Sequence, residues 1–203
     1  MYVLICLVAV TLLVSAEYTG PQVLRIVAKT TASLAFLAQG IASGADPVLL
    51  FALGASVVGD VCLLFRRSFL PGIVAFGLAH VGFCAAFLEI GVSAPATIVG
   101  LAGVGGFGIA ATRTFDAGPL QNAVRAYAAL ISCMTALAIG VFAAGPSPDR
   151  AALLAAAVVF LGSDLLVARD RFVRRAWLHR AIGLPMYYGA QLVLATVVPE
   201  LLR

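Results

Sequence analysis

Three ionisable groups lie where charge is costly. Asp60 and Asp164 each sit well inside an apolar run, and Lys29, the only lysine in the chain, sits inside another. A charged side chain at membrane depth costs roughly 2.5–3.5 kcal/mol on insertion scales, so such groups tend to mark function. His80, Tyr127, Tyr187, Tyr188 and Gln191 interrupt further apolar segments. The other acids, Glu17, Asp46, Glu89, Asp116, Asp149, Asp170 and Glu200, fall at the ends of runs or between them. Two carboxylates with a lysine, a histidine and phenols can handle protons. Other readings of the same residues are open. His80, Asp60 and Asp164 are an adequate ligand set for a divalent ion. A protonatable aspartate pair with a lysine would suit a transporter. An aspartate paired with Lys29 could also be interhelical glue. Thr30, Thr31 and Ser33 read as bonding their own helix backbone, and the tyrosines could be interfacial aromatics.

The elements that must position these groups follow from composition. Of the 203 residues, 63% are apolar and 11% charged, with a mean hydropathy of +1.09. Soluble domains are nearer a quarter charged, so a soluble globular domain, a disordered chain and a nucleic-acid module are excluded. A crossing needs roughly 20 apolar residues. Continuous apolar runs, broken at Gly20-Pro21, Asp46-Pro47, Pro71-Gly72, Gly118-Pro119 and Gly145-Pro146, predict an all-α polytopic membrane bundle. Eight helices are expected, over about 1–16, 22–43, 47–65, 70–91, 93–112, 122–144, 150–169 and 183–202, forming a single integral domain over 1–203. The runs do not alternate, which excludes a β-barrel.

Ten arginines flank the connections after helices 1, 3, 5 and 7, against Arg150 and Arg203 on the other side. That bias predicts cytoplasmic basic loops, both termini outside and residence in the cell membrane. The long basic stretch from Arg169 to Arg180 is expected to lie as a loop against anionic headgroups. With this orientation Asp60, Asp164, Lys29, Tyr127, Tyr187, Tyr188 and Gln191 share a layer roughly 7–13 Å below the cytoplasmic surface, at 1.5 Å per helical residue. His80 is somewhat deeper. Such a layer can line a polar cavity opening to the cytoplasmic leaflet.

Other features are weaker. GDVCLLFRRSF at the end of helix 3 and GSDLLVARDRF at the end of helix 7 suggest a 4+4 pseudo-repeat. Cys6, Cys62, Cys84 and Cys133 lie in apolar runs without metal-ligand spacing and read as buried small hydrophobes. No positive segment precedes the first run, so it reads as a short first membrane helix rather than a signal peptide. GVGGFG at 103–108 matches a dinucleotide fingerprint formally, but lacks the preceding strand. Close helix packing is the expected role of its glycines.

Five ordered blocks carry a resemblance: the helix around Lys29, SVVGDVCLLF, FLPGIVAFGLAHVGFCAAF, VVFLGSDLLVARDRF and PMYYGAQLVL. Together they resemble the YhhN-like lysoplasmalogenase family of multi-pass membrane proteins. Thr30 stands where that family often has proline, and Phe83 where tyrosine is common. The resemblance implies an eight-helix enzyme that hydrolyses the vinyl ether of lysoplasmalogens, giving a fatty aldehyde and a glycerophospho-base. The lysophospholipid and the bilayer are then the partners, without nucleic acid, and no cofactor or metal is needed.

Vinyl ethers hydrolyse by protonation of the outer vinyl carbon, followed by addition of water to the oxocarbenium ion. That requires an acid, a negative group near the cation and a water, as in two-carboxylate glycosidases. The expected roles are Asp164 as acid and Asp60 as the ionised partner of Lys29. His80 and Tyr127 would orient water or the leaving oxygen. Tyr187, Tyr188 and Gln191 would contact substrate, and Arg66, Arg67 and the loop arginines would take its phosphate.

Overall fold

A computed structural model describes residues 1–203, the side chains of Thr19 and Arg66 excepted. Eight α-helices follow one another: α1 (Tyr2–Thr19), α2 (Gln22–Ala42), α3 (Pro47–Leu63), α4 (Phe69–Ile90), α5 (Ala94–Thr112), α6 (Gln121–Ala144), α7 (Pro148–Phe172) and α8 (Trp177–Leu201). Single 3-10 turns, Arg66–Ser68 and Gly118–Leu120, precede α4 and α6. Five helices, α4 to α8, are long and apolar enough to cross a membrane. Their outward faces carry large apolar side chains such as Leu78, Ile98, Val158 and Ile182, which suits a multi-pass membrane protein.

Local chemistry sets the boundaries. Asp46 caps α3 by accepting from the Leu49 amide at 2.9 Å, and Ser147 caps α7 by accepting from Arg150 at 3.2 Å. Each is followed by proline at the first helical position, where a missing N–H costs nothing. The expected loop from Arg169 to Arg180 is mostly helix. α7 continues through Arg169 and Arg171, α8 starts at Trp177, and the break spans only 173–176. Arginine is a good helix former, and cations favour a helix C-terminus, so basic residues did not end α7.

The helices pack in series, α1 to α4 and α5 to α8. Between the halves, α4 packs on α6 and α8 on α2. These two contacts exchange when each helix is replaced by its counterpart four helices on, so the packing follows the suspected 4+4 pattern. The pattern breaks at the edge. α1 packs on both α2 and α8, whereas α5 packs principally on α6.

The glycines of 103–108 do not behave as expected. A Cβ on Gly103 or Gly106 would meet nothing within 4 Å, and one on Gly105 would touch only Leu101 of the same helix. Only Gly108 approaches α6, where a Cβ would come 2.8 Å from Ser132 Oγ. α5 is peripheral, and most of this motif faces outward. Gly59 is different. A Cβ there would lie 2.6 Å from the Phe76 ring of α4, so the residue before Asp60 must be glycine for α3 and α4 to close.

Candidate active site

Two carboxylates face one cavity of about 510 Å³ that is open at the end of the bundle carrying the α1–α2, α3–α4 and α7–α8 connections. Lys29, Asp60, Tyr127, Asp164 and Tyr187 line its inner part, with Ile73, Phe76, Val124 and Leu184 as apolar wall. Beneath it lies an aromatic floor. Tyr187 packs edge-on to Phe36, Phe76 and Phe160 at centroid distances of 6.2, 5.8 and 5.3 Å. Phe36 and Phe160 are fully buried.

The surroundings of the two carboxylates differ. Asp60 is 3% exposed and surrounded by donors. Its Oδ1 lies 3.1 Å from Lys29 Nζ. Its Oδ2 accepts from Ser33 Oγ at 2.7 Å and from Tyr187 Oη at 2.8 Å. The direction of the Tyr187 bond is fixed by Gln191, whose Nε2 donates to Tyr187 Oη at 3.2 Å; the phenol proton is left for Asp60. An ammonium and two hydroxyls thus converge on this one carboxyl.

Asp164 is 18% exposed. Tyr127 Oη donates to its Oδ2, and its Oδ1 has no hydrogen bond among the described residues. Behind Tyr127 stands His80, fully buried, with Nε2 at 2.9 Å from Tyr127 Oη and 3.6 Å from Asp164 Oδ2. His80 Nδ1 is 3.3 Å from Met134 Sδ. Asp164 therefore lines the cavity with one carboxyl oxygen bonded to Tyr127 and the other without a partner among the described residues.

The two constellations are wired alike. Asp60 of α3 is served from α2 and α8, and Asp164 of α7 from α6 and α4. These are the same helix relationships under the four-helix exchange. One carboxylate therefore sits in each half, each drawing one partner helix from the other half, and both line the cavity.

Several residues predicted for this site lie elsewhere. His80 does not line the cavity and stands behind Tyr127 and Asp164, which do. Tyr188 and Gln191 are buried and do not line the cavity. Tyr188 Oη instead meets Ser33 Oγ at 3.2 Å and the Lys29 carbonyl at 3.3 Å, bracing the Asp60 cluster from behind. Arg67 is exposed and not part of the lining; the Arg66 side chain lies outside the described residues. His80, Asp60 and Asp164 do not form a three-ligand metal cluster among the described residues, because Asp60 and Asp164 are bound into separate clusters.

Two participants were missed in the sequence. Ser33 Oγ does lie 2.9 Å from the Lys29 carbonyl of its own helix, but the shorter contact for its one proton is Asp60 Oδ2 at 2.7 Å. Its place one turn after Lys29 was the available signal. Met134 had none, since a methionine in an apolar helix reads as core.

A family model described as the YhhN family matches residues 24–198 of the chain. No curated protein and no solved structure matches it.

Proposed function

The chain belongs to the YhhN family, and on that premise we propose that it is a membrane-embedded hydrolase of vinyl ether lipids, acting on lysoplasmalogens such as lysoplasmenyl-ethanolamine or lysoplasmenyl-choline. The observation that carries this reading is the pair of unlike carboxylates on one cavity. One is buried and ion-paired to Lys29; the other is partly exposed, with one oxygen unpaired among the described residues. That is the division of labour that acid-catalysed vinyl ether hydrolysis needs.

Asp164 gives its proton to the outer vinyl carbon, and the electron pair of the double bond forms the new C–H bond. The positive charge left is shared by the ether oxygen and the adjacent carbon. Asp60, with Lys29 balancing it, and the phenol oxygens offer negative potential for this oxocarbenium ion. Water adds to the cationic carbon and gives a proton back to Asp164. The hemiacetal then collapses to the fatty aldehyde and the glycerol hydroxyl. One water is consumed, and no redox change occurs. His80 and Tyr127 hold Asp164 in place through the phenol. We place the open end of the cavity at the cytoplasmic leaflet, where the arginine bias of the connections puts it.

Aldehyde release from purified protein given lysoplasmenyl-ethanolamine, beside an ester-linked lysolipid, tests the reading. Aldehyde from the vinyl ether alone is expected. Silence on the vinyl ether, with protein of intact fold, would refute it. One observation favours a second reading: the equivalent packing of the halves, with one acidic cluster in each, also suits a proton-coupled transporter. Flux of an unaltered lipid in proteoliposomes would favour that alternative.

A further inference from the structure

The mouth of the cavity carries a charged structure that the hydrolysis itself does not use. Glu17 Oε2 lies 2.7 Å from Arg180 Nη1 and 3.7 Å from Arg25 Nη1. Arg180 Nη2 and Nε each reach Asp170 Oδ2 at 3.0 Å. Asp170 Oδ1 accepts from the Ala176 amide at 3.0 Å and stands 3.9 Å from His179 Nδ1. These contacts make one row across the mouth, from Arg25 on α2 through Glu17 on α1 to Arg180, Asp170 and His179 at the α7–α8 turn.

The row is incomplete in one sense. Arg25 Nε and His179 Nδ1 are buried, and neither has a hydrogen-bond partner among the described residues. Both residues line the cavity. Arg171 and Arg175 line the same mouth, with Arg171 stacked 4.4 Å over the Phe69 ring. Four arginines thus face two carboxylates, an excess of positive charge with a buried nitrogen left unpaired at each end. Buried polar atoms without partners are uncommon in native proteins. An oxyanion at the mouth balances the excess of positive charge.

The distance from this row to the carboxylates limits what the anion can be attached to. Arg25 is four residues before Lys29, and Asp170 six after Asp164. At 1.5 Å per residue the row stands roughly 6–9 Å above the reacting layer. Five single bonds of about 1.5 Å, the path from the phosphorus atom along glycerol to its far oxygen, cover a similar span.

We propose that Arg25, His179 and Arg175 form a phosphate subsite, framed by Glu17, Arg180 and Asp170, that selects substrates with a phosphate one glycerol away from the scissile bond. This rests on the hydrolase reading for its placement of the reacting bond. It assigns the headgroup to the α2 and α8 ends instead of Arg66 and Arg67. The subsite acts by binding and registration: with phosphate held at the mouth, the vinyl ether lies level with Asp164.

The test compares lysoplasmenyl-ethanolamine with 1-O-alkenylglycerol, which lacks the phosphate, on wild type and on Arg25→Gln, Arg175→Gln and His179→Gln. Each variant is expected to raise KM for the phosphate substrate about tenfold, leaving the neutral substrate unchanged. Equal KM values for the two substrates in wild type, or equal losses on both in the variants, would overturn the subsite.

A binding measurement separates this from failure of the reaction reading. Glycerol 3-phosphate should raise the melting temperature of wild type and not of Arg25→Gln or His179→Gln, with inorganic phosphate weaker. That pattern in protein that releases no aldehyde would uphold the subsite and refute the hydrolase. No shift with either anion would overturn the subsite even in an active enzyme. A larger shift with inorganic phosphate would overturn the glycerol spacing.

Discussion

Replacing Asp60 by asparagine should destabilise the protein strongly, and removing Lys29 as well should restore much of the loss. Lys29 Nζ is 3.1 Å from Asp60 Oδ1, and the two side chains are 13% and 3% exposed. Breaking a buried ion pair from one side leaves the other charge unpaired and costs about 3–5 kcal/mol. Asp60→Asn and Lys29→Met should each show a loss of this order. The double variant leaves neither charge behind, so its loss should fall well short of the sum, with a coupling of about 2–3 kcal/mol. Relative stability in detergent, measured for all four proteins by one denaturant titration, gives the cycle. Activity should not follow stability: the double variant recovers the fold but lacks the anion, and stays inactive. Additive losses, or an Asp60→Asn protein as stable as wild type, would refute the ion pair as the organiser of this cluster. A double variant with restored aldehyde release would refute the electrostatic role of Asp60.

Asp164→Asn is expected to lower aldehyde release by about 10²–10⁴-fold, the usual worth of a general acid, while the melting temperature stays near wild type because no ion pair with a lysine or arginine is broken. Tyr127→Phe removes the link between His80 and Asp164, so steady-state assays should show a fall in kcat with little change in KM. Gly59→Ala drives a methyl to 2.6 Å from the Phe76 ring and should cost about 1–3 kcal/mol by overpacking, read as a lower melting temperature.

Much of the frame was legible because it is set by local rules. Apolar runs and proline-bearing caps placed eight helices, and the cost of charge at depth singled out Asp60, Asp164 and Lys29. The α7–α8 turn was misread because arginines mark membrane boundaries without ending helices. The glycine motif of α5 was misread because small residues permit close packing but do not show that a neighbour is present. The difference between the two carboxylates depends on partners far away in sequence. Tyr187 lies 127 residues from Asp60, and Tyr127 lies 37 from Asp164. The mouth likewise joins Glu17 to Arg180 across 163 residues, which no local pattern signals.

Hydrolysis in heavy water enriched in oxygen-18, with the aldehyde reduced as it forms, tests carbon protonation most directly. The mechanism predicts one deuterium on the carbon next to the aldehyde carbon, delivered there by Asp164. It also predicts a glycerophospho-base that keeps its original oxygen, because water attacks the cationic vinyl carbon. Oxygen-18 in the glycerol hydroxyl, or a fatty product without deuterium at that carbon, would contradict it.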